Sequence, residues 1–398
     1  MQPACSEHLR PPRGGEVSGG KTERLFPNGY IITVCSISKH IPREAAITRN
    51  GRCRFCVPGF GDDTETSMNG SLRDRAITVC YRPIAALRDR RHIATSLLNE
   101  AGYRVTQVSN QRLPLKRTDV LWILENANWF PAVCRQLQMI PRTERPFTVI
   151  WHSEPFPPPK SARLPAPRLH LREIAKIVLG DRLATDAYSN YFRLRPLMEQ
   201  GIPNLLLVST PGRLQFLAEQ GIGSTYVPLG YHRAEHGYDM DMERDIDVLF
   251  LGALQIPRRK RLFKKLRRSG INLMTKGSWS DPHDWGENRT RLLNRAKIFL
   301  NLQRYPGELS GERLILGMAN RTLVISEPIY EPGDFVPGKH FVSATSDEMP
   351  EMIDYYLDHD DERERIAGEG HEFVTRQLTM ERSISAILEL IERQINRP

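Results

Sequence analysis

The chain has 398 residues, 40% of them hydrophobic, enough to bury the cores of two ordinary domains with some chain to spare. A formal net charge of +9 suits a polyanionic partner: a nucleotide diphosphate, an anionic lipid surface or nucleic acid. No run approaches the ~18 apolar residues of a membrane span, the first residues lack the apolar core of a secretory signal, and six irregularly placed cysteines make no disulfide framework, so a cytoplasmic location is expected.

Residues 1–73 carry scattered Gly, Pro and charge with one apolar patch at 30–37, and read as an irregular, poorly ordered extension. Met68, just before the first strand-like run, is an alternative start. Cys53 and Cys56 have metal-ligand spacing, and Cys35 and His40 complete a conceivable zinc set, but a lone CxxC is weak evidence.

From residue 74 to about 235 the pattern alternates. Residues 76–81 are apolar and β-rich, with Cys80 packing among them; 84–101 read as helix, 103–108 as strand, 120–124 and 147–151 as buried strands, and 129–139 as a helix between these. A parallel sheet is the economical inference. The Pro-rich stretch HSEPFPPPKSARLPAP then leaves the sheet at the carboxyl end of a strand, the edge where ligands bind. His152 and Glu154 sit there, His152 as a candidate acceptor-side catalytic base, although a lone loop histidine is more often structural. Residues 177–179, 187–188 and 205–209 read as strands, 211–220 as helix, and 227–230 as the start of an interdomain linker, with the boundary at 230–245.

A second domain, 236–378, opens with a strand at 246–251. The cluster RRKRLFKKLRR follows, where Leu262, Phe263 and Leu266 at helical spacing leave the cations facing outward, as a solvated helix or a peripheral contact with an anionic membrane. Strands at 271–275, 298–302 and 323–326 alternate with helices at 289–296, 346–358 and 361–376. The last run, 379–398, puts Ile384, Ile387, Leu388, Ile391 and Ile395 on one helix face and is expected to pack back on the first domain.

Within YPGELSGERLILGMANRTLVISE, residues 305–327, a Gly-containing turn leads into a helix and then a buried strand, and a helix N-terminus so framed can receive a phosphate. Glu308 and Gly311 resemble the donor-binding signature of nucleotide-sugar glycosyltransferases of the GT-B class. That signature's second glutamate falls on Leu316 and its small helix-ending residue on Arg321. More widely, VLFLG, the basic helix, Gly277-Ser278-Trp279, IFLNL, LVISEP, VPGKHFV and a final Arg-containing helix follow an order that resembles the spore-maturation-type glycosyltransferase-like proteins. The resemblance implies an α/β protein of two Rossmann-like domains facing a cleft, and transfer of a sugar from a nucleotide sugar to an unknown acceptor with retention. It implies Glu308 as catalytic and Gly252, Arg259, Lys260, Trp279 and Gly311 as donor-binding. Arg304 and Arg313, flanking the turn, are candidates for donor phosphate or sugar contacts, and Ser310 with the Gly311 and Glu312 N–H groups can bind the ligand or cap the helix.

Plainer readings stand beside these. Gly252 can be a strand-end turn, the cations surface residues, Ser310 a helix cap and Trp279 a core or lid aromatic. Glu327 and Glu331, after the last apolar strand, share the expected cleft edge. Asp239 with Asp241 and Asp245 with Asp247 mimic a metal-binding DxD, but the second pair precedes its strand and so lies at the edge opposite the ligand. No metal or cofactor is expected. Leu316 leaves open a glycosyltransferase-like protein that binds ligand without turnover. No nucleic-acid partner is expected, since charge alone supports one.

Overall fold

The structure, a computed structural model, describes residues 22–25, 31–34, 71–80, 90–109, 112–124, 126–165, 171–179, 187–277, 285–308 and 311–396. The chain divides into two compact units, Met1–Glu65 and Thr66–Pro398. In the first, β1 (Thr22–Leu25) and β2 (Ile31–Val34) pair antiparallel with Thr22 opposite Val34, and β2 falls on the apolar patch at 30–37. Cys35, His40, Cys53, Cys56 and Met68 lie outside the described residues, as does the expected start of a helix at 84.

The second unit holds two parallel α/β sheets. The first is built from β3 (Ala76–Cys80), α1 (Arg90–Glu100), β4 (Arg104–Val108), β5 (Val120–Leu124), α2 (Pro131–Met139), β6 (Phe147–His152), α3 (Leu171–Val178), α4 (Ala187–Glu199), β7 (Leu205–Val208), α5 (Pro211–Glu219) and β8 (Thr225–Tyr226). Its strand order is β4-β3-β5-β6-β7-β8, every pairing parallel. Continuous apolar runs such as VLWIL and FTVIWH are buried along their whole length, as strands covered on both faces require.

Two expected strands are helical instead. Residues 177–178 close α3 and 187–188 open α4. A short apolar run fits either state, and Leu171, Ile174 and Val178 recur at the helical interval, which is the better guide here.

A short linker helix, α6 (Arg233–His236), leads to the second sheet. This comprises β9 (Ile246–Leu251), α7 (Pro257–Arg268), β10 (Leu273–Lys276), α8 (Glu287–Asn294), β11 (Ala296–Asn301), α9 (Gly311–Ala319), β12 (Leu323–Ser326) and β13 (Val342–Ser343), in the order β10-β9-β11-β12-β13. Then come α10 (Met349–Asp358), α11 (Asp360–Glu372), a π-helical turn Phe373–Gln377 and α12 (Met380–Ile395). Arg244, in the linker, donates to the carbonyls of Asn294, Ala296 and Arg321 at 3.1, 2.7 and 2.7 Å, fastening the linker to the end of α8, the start of β11 and the turn after α9.

One apolar cluster runs through both halves, joining Leu98, Val120 and Trp151 to Phe299, Met318 and the buried face of α12, Ile384, Ile387, Leu388 and Ile391. Ser383 Oγ donates to Pro228 O at 2.9 Å and Gln394 Nε2 to Asn204 O at 2.9 Å, so α12 returns to the first sheet. The linker and the returning chain touch where they cross: Tyr231 N donates to Leu378 O at 2.7 Å and Met380 N to Tyr231 O at 2.8 Å. A Cβ at Gly230 would overlap the Thr379 backbone. Gly230→Val should therefore cost about 3 kcal/mol in urea unfolding, whereas Gly223→Val, in open space, should cost far less.

Candidate functional site

The carboxyl ends of β9 and β11 and the N-terminus of α9 meet at one place. β9 ends in Phe250, Leu251 and Gly252, and Gly252 has φ +141° with its N–H bonded to Lys276 O at 3.0 Å. Gly277 packs so closely on Gly252 that neither its φ of +145° nor the space would admit a side chain. This leaves the backbone bare beside two guanidinium groups. Arg259, on the buried side of α7, donates through Nε to Leu302 O at 3.0 Å and through Nη1 to Ala253 O at 3.3 Å. Arg313, in the first turn of α9, donates through Nη1 to the same Leu302 carbonyl at 3.4 Å. Both guanidiniums lie 5.4 Å from the centroid of the Phe250 ring.

Two cations so close repel each other. Burial, with the Arg313 charge beside it, pushes the Arg259 pKa down to about 9, and burial lowers that of Arg313 as well. Among the described residues no carboxylate forms an ion pair with either, although Glu308 and Glu327 lie close enough to offset part of the repulsion at Arg259. Arginine keeps its charge in proteins, and both guanidiniums lie beside the amino end of a helix. An anion placed there relieves the repulsion.

The turn before α9 is held from behind. Glu327, 2% exposed, takes Arg258 in a bidentate pair, with Arg258 Nη1 at 2.6 Å, and accepts the Gln303 N–H at 2.9 Å. Gln303 donates to Pro328 O at 2.9 Å and accepts the Gly307 N–H at 2.7 Å. One buried amide thus ties the turn carrying Glu308 to the loop after β12. Arg304, half-buried, lies 5.3 Å over Tyr305 and close enough to Arg259 to add to the repulsion there.

The first sheet's loops reach this turn. Gly307 packs directly on Leu164, and Tyr330 OH donates to Gln215 Oε1 at 2.6 Å. Gln215 Nε2 donates to Ser161 Oγ at 2.6 Å, and Ser161 donates to Glu219 at 2.7 Å. The contact is a chain of polar groups from the β12 loop through α5 to the Pro-rich loop. It was invisible in the sequence, as were Gln303 and the partner of Glu327. Only the placement of Glu327 after an apolar strand pointed to this edge.

The expected residues therefore divide. Gly252, Arg259, Arg304, Glu308, Gly311 and Arg313 converge. Lys260 does not: it is exposed and lines an open groove with Leu254, Lys264, Arg267 and Arg268, because successive helix residues point about 100° apart. Glu312 is exposed on α9 and faces Arg289 electrostatically as well as Arg313. Trp279 and Ser310 lie outside the described residues.

His152 is corrected. It is fully buried at the end of β6 and stacked on Phe156 at 4.3 Å, and burial with the Arg213 charge lowers its pKa to about 3, so the ring is neutral and inaccessible to an acceptor. The aspartate pairs are otherwise engaged: Asp245 with Arg295, Asp247 with Lys297 at 2.8 Å, and Asp239 with Arg321 at 3.6 Å. Among the described residues no three His, Cys, Asp or Glu side chains gather as a metal site.

Two outcomes follow. His152 and His340, the latter 6% exposed and lowered to about 4, both chiefly by burial, take up protons on unfolding but not in the fold between pH 6.5 and those values. Stability is therefore full above pH 6.5 and falls as pH drops below it, by on the order of 1.4 kcal/mol per pH unit for each group. His152→Leu should flatten the decline of Tm between pH 6.5 and 4.5. Glu327→Ala strands Arg258 and Gln303 N and should cost about 2 kcal/mol, read by urea unfolding, more than Glu331→Ala costs.

A family model described as glycosyl transferase-like matches residues 258–389. No curated protein matches the chain in sequence. Among solved structures, sucrose-phosphate synthase from Thermosynechococcus elongatus superposes with TM-score 0.52 at 11% identity, covering 80% of this chain and 98% of that one. HepE from Anabaena, solved with UDP and glucose, gives TM-score 0.49 at 11% identity over 80% and 100% of the two chains. TarM gives 0.49 at 11% identity over 77% of this chain, which spans only 58% of TarM. Two parallel-sheet α/β domains in this arrangement are the GT-B fold, and the glycosyl transferase-like match covers most of the second domain.

Proposed function

We propose that the protein is a glycosyltransferase whose donor is a nucleotide sugar, with the diphosphate on Arg259, Arg313 and the amino end of α9. The observation that carries this reading is the Arg259–Arg313 pair, held against one ring with no ion-paired carboxylate among the described residues. In the reaction the anomeric C–O bond to the diphosphate breaks, the leaving oxygen keeps the electron pair, and the acceptor hydroxyl forms the new C–O bond and passes its proton to the departing diphosphate. The two guanidiniums stabilise the negative charge that develops on the leaving group, the charge a divalent cation would otherwise meet. Glu308, beside them, faces the sugar, and the resemblance of its turn supports retention of configuration. The acceptor is unassigned.

A second reading, ligand binding without turnover, has one observation in its favour. Leu316 packs against the apolar core where the donor signature carries its second glutamate.

A panel of nucleoside diphosphates and nucleotide sugars, with and without EDTA, tests the donor site through thermal stability. One nucleotide class should raise Tm equally with the chelator present, a ligand at 100 times its Kd adding about 2.7 kcal/mol. Arg313→Ala should weaken that binding by about tenfold or more, a charge-assisted contact being lost. Sugar release from the bound donor, lost in Glu308→Ala, separates the enzyme from the binder, and no shift with any nucleotide would overturn both readings.

A further inference from the structure

Helix α3 and the residue after it expose four large apolar side chains. Leu171 is 86% exposed, Ile174 43% and Val178 78%, and Leu179, just past the helix, 83%. These positions recur at the helical interval. They are the residues that would face a core, yet among the described residues nothing covers them. α4, packed against α3, exposes Phe192 to 41% as well. Scattered exposed apolar residues need no explanation, but a helix stripe of them does.

The surrounding sequence is basic. Between residues 160 and 179 the sequence carries Lys160, Arg163, Arg168, Arg172 and Lys176 and a single acid, Glu173. An exposed apolar stripe within a cationic segment is the composition of a helix that lies in a bilayer interface, its apolar side chains at the acyl boundary and its cations among phosphate headgroups. Among the described residues no helix is long and apolar enough to cross a membrane, so the contact is peripheral. The cations of α7 are the obvious rival surface. The groove they line opens beside Lys260, Lys264, Arg267 and Arg268, but of its apolar residues Phe263 is buried and Leu254 half-buried, leaving charge without an insertable stripe.

We propose that α3 docks the protein on an anionic phospholipid surface, with Leu171, Ile174, Val178 and Leu179 entering the interface. The helix begins a few residues after Leu164, which touches Gly307 beside Glu308. The bilayer would then lie near the edge of the first sheet that faces the donor turn, which suits an amphiphilic acceptor. That consequence rests on the transferase reading, whereas the docking does not.

Co-sedimentation of the full chain tests it, with vesicles of phosphatidylcholine alone and of phosphatidylcholine mixed with phosphatidylglycerol, at low and rising salt. The wild type should bind the mixed vesicles at low salt and release as salt rises. The triple variant Leu171→Ser, Val178→Ser, Leu179→Ser should keep its Tm and lose binding roughly tenfold or more. Lys264→Glu with Arg268→Glu, on α7, should weaken it less. The proposal is overturned if the wild type binds neither vesicle, if the triple variant binds like wild type, or if only the α7 variant loses binding. It is equally overturned if the triple substitution converts a dimer to a monomer in size-exclusion chromatography, which would make the stripe an interface between copies of the chain.

Discussion

Arg259 and Arg313 hold like charges against one face of the molecule, sharing the Leu302 carbonyl and the Phe250 ring. Such an arrangement costs free energy, and carbonyls at the ends of the neighbouring strands hold it in place. The bare backbone of Gly252 and Gly277 lets the ends of β9 and β10 approach closely. The carbonyls of Ala253 and Leu302 solvate what water cannot reach. Under the proposed donor site, positive charge fixed in advance beside the leaving group is worth more than charge that must reorganise.

The same logic explains the buried ion pair behind the site. Glu327 does not face a ligand; it orients Arg258 and, with Gln303, closes the Gly307 turn against the loop after β12. A buried pair is seldom a large source of stability, but removing one partner leaves the other uncompensated. Its value here is positional, since the turn it fixes carries Glu308 and meets Leu164 of the first sheet's loop.

Much of this was legible in the chain because parallel strands covered on both faces read as unbroken apolar runs. Residues 120–124, 246–251 and 323–326 are strands with the bounds their composition suggests. Periodicity failed where the run was too short to choose, at 177–179 and 187–188, and there helical spacing prevailed. Among the candidate site residues, Arg259 and Glu308 came from the family resemblance and Arg313 from its place beside the Gly-containing turn. Lys260 was misplaced because a neighbour in sequence is not a neighbour on a helix. His152 sits at the expected strand end, but its ring turns into the core beside Phe156 instead of toward solvent. The Tyr330–Gln215 contact joins residues too far apart in sequence for any local pattern to pair them.

The most direct measurement is a crystal structure of the protein soaked with the nucleoside diphosphate that stabilises it best. The account predicts phosphate density between the Arg259 and Arg313 guanidiniums, at the amino end of α9 and over the Gly252 backbone. Phosphates bound instead in the Lys264–Arg268 groove, with Arg259 and Arg313 untouched, would contradict it.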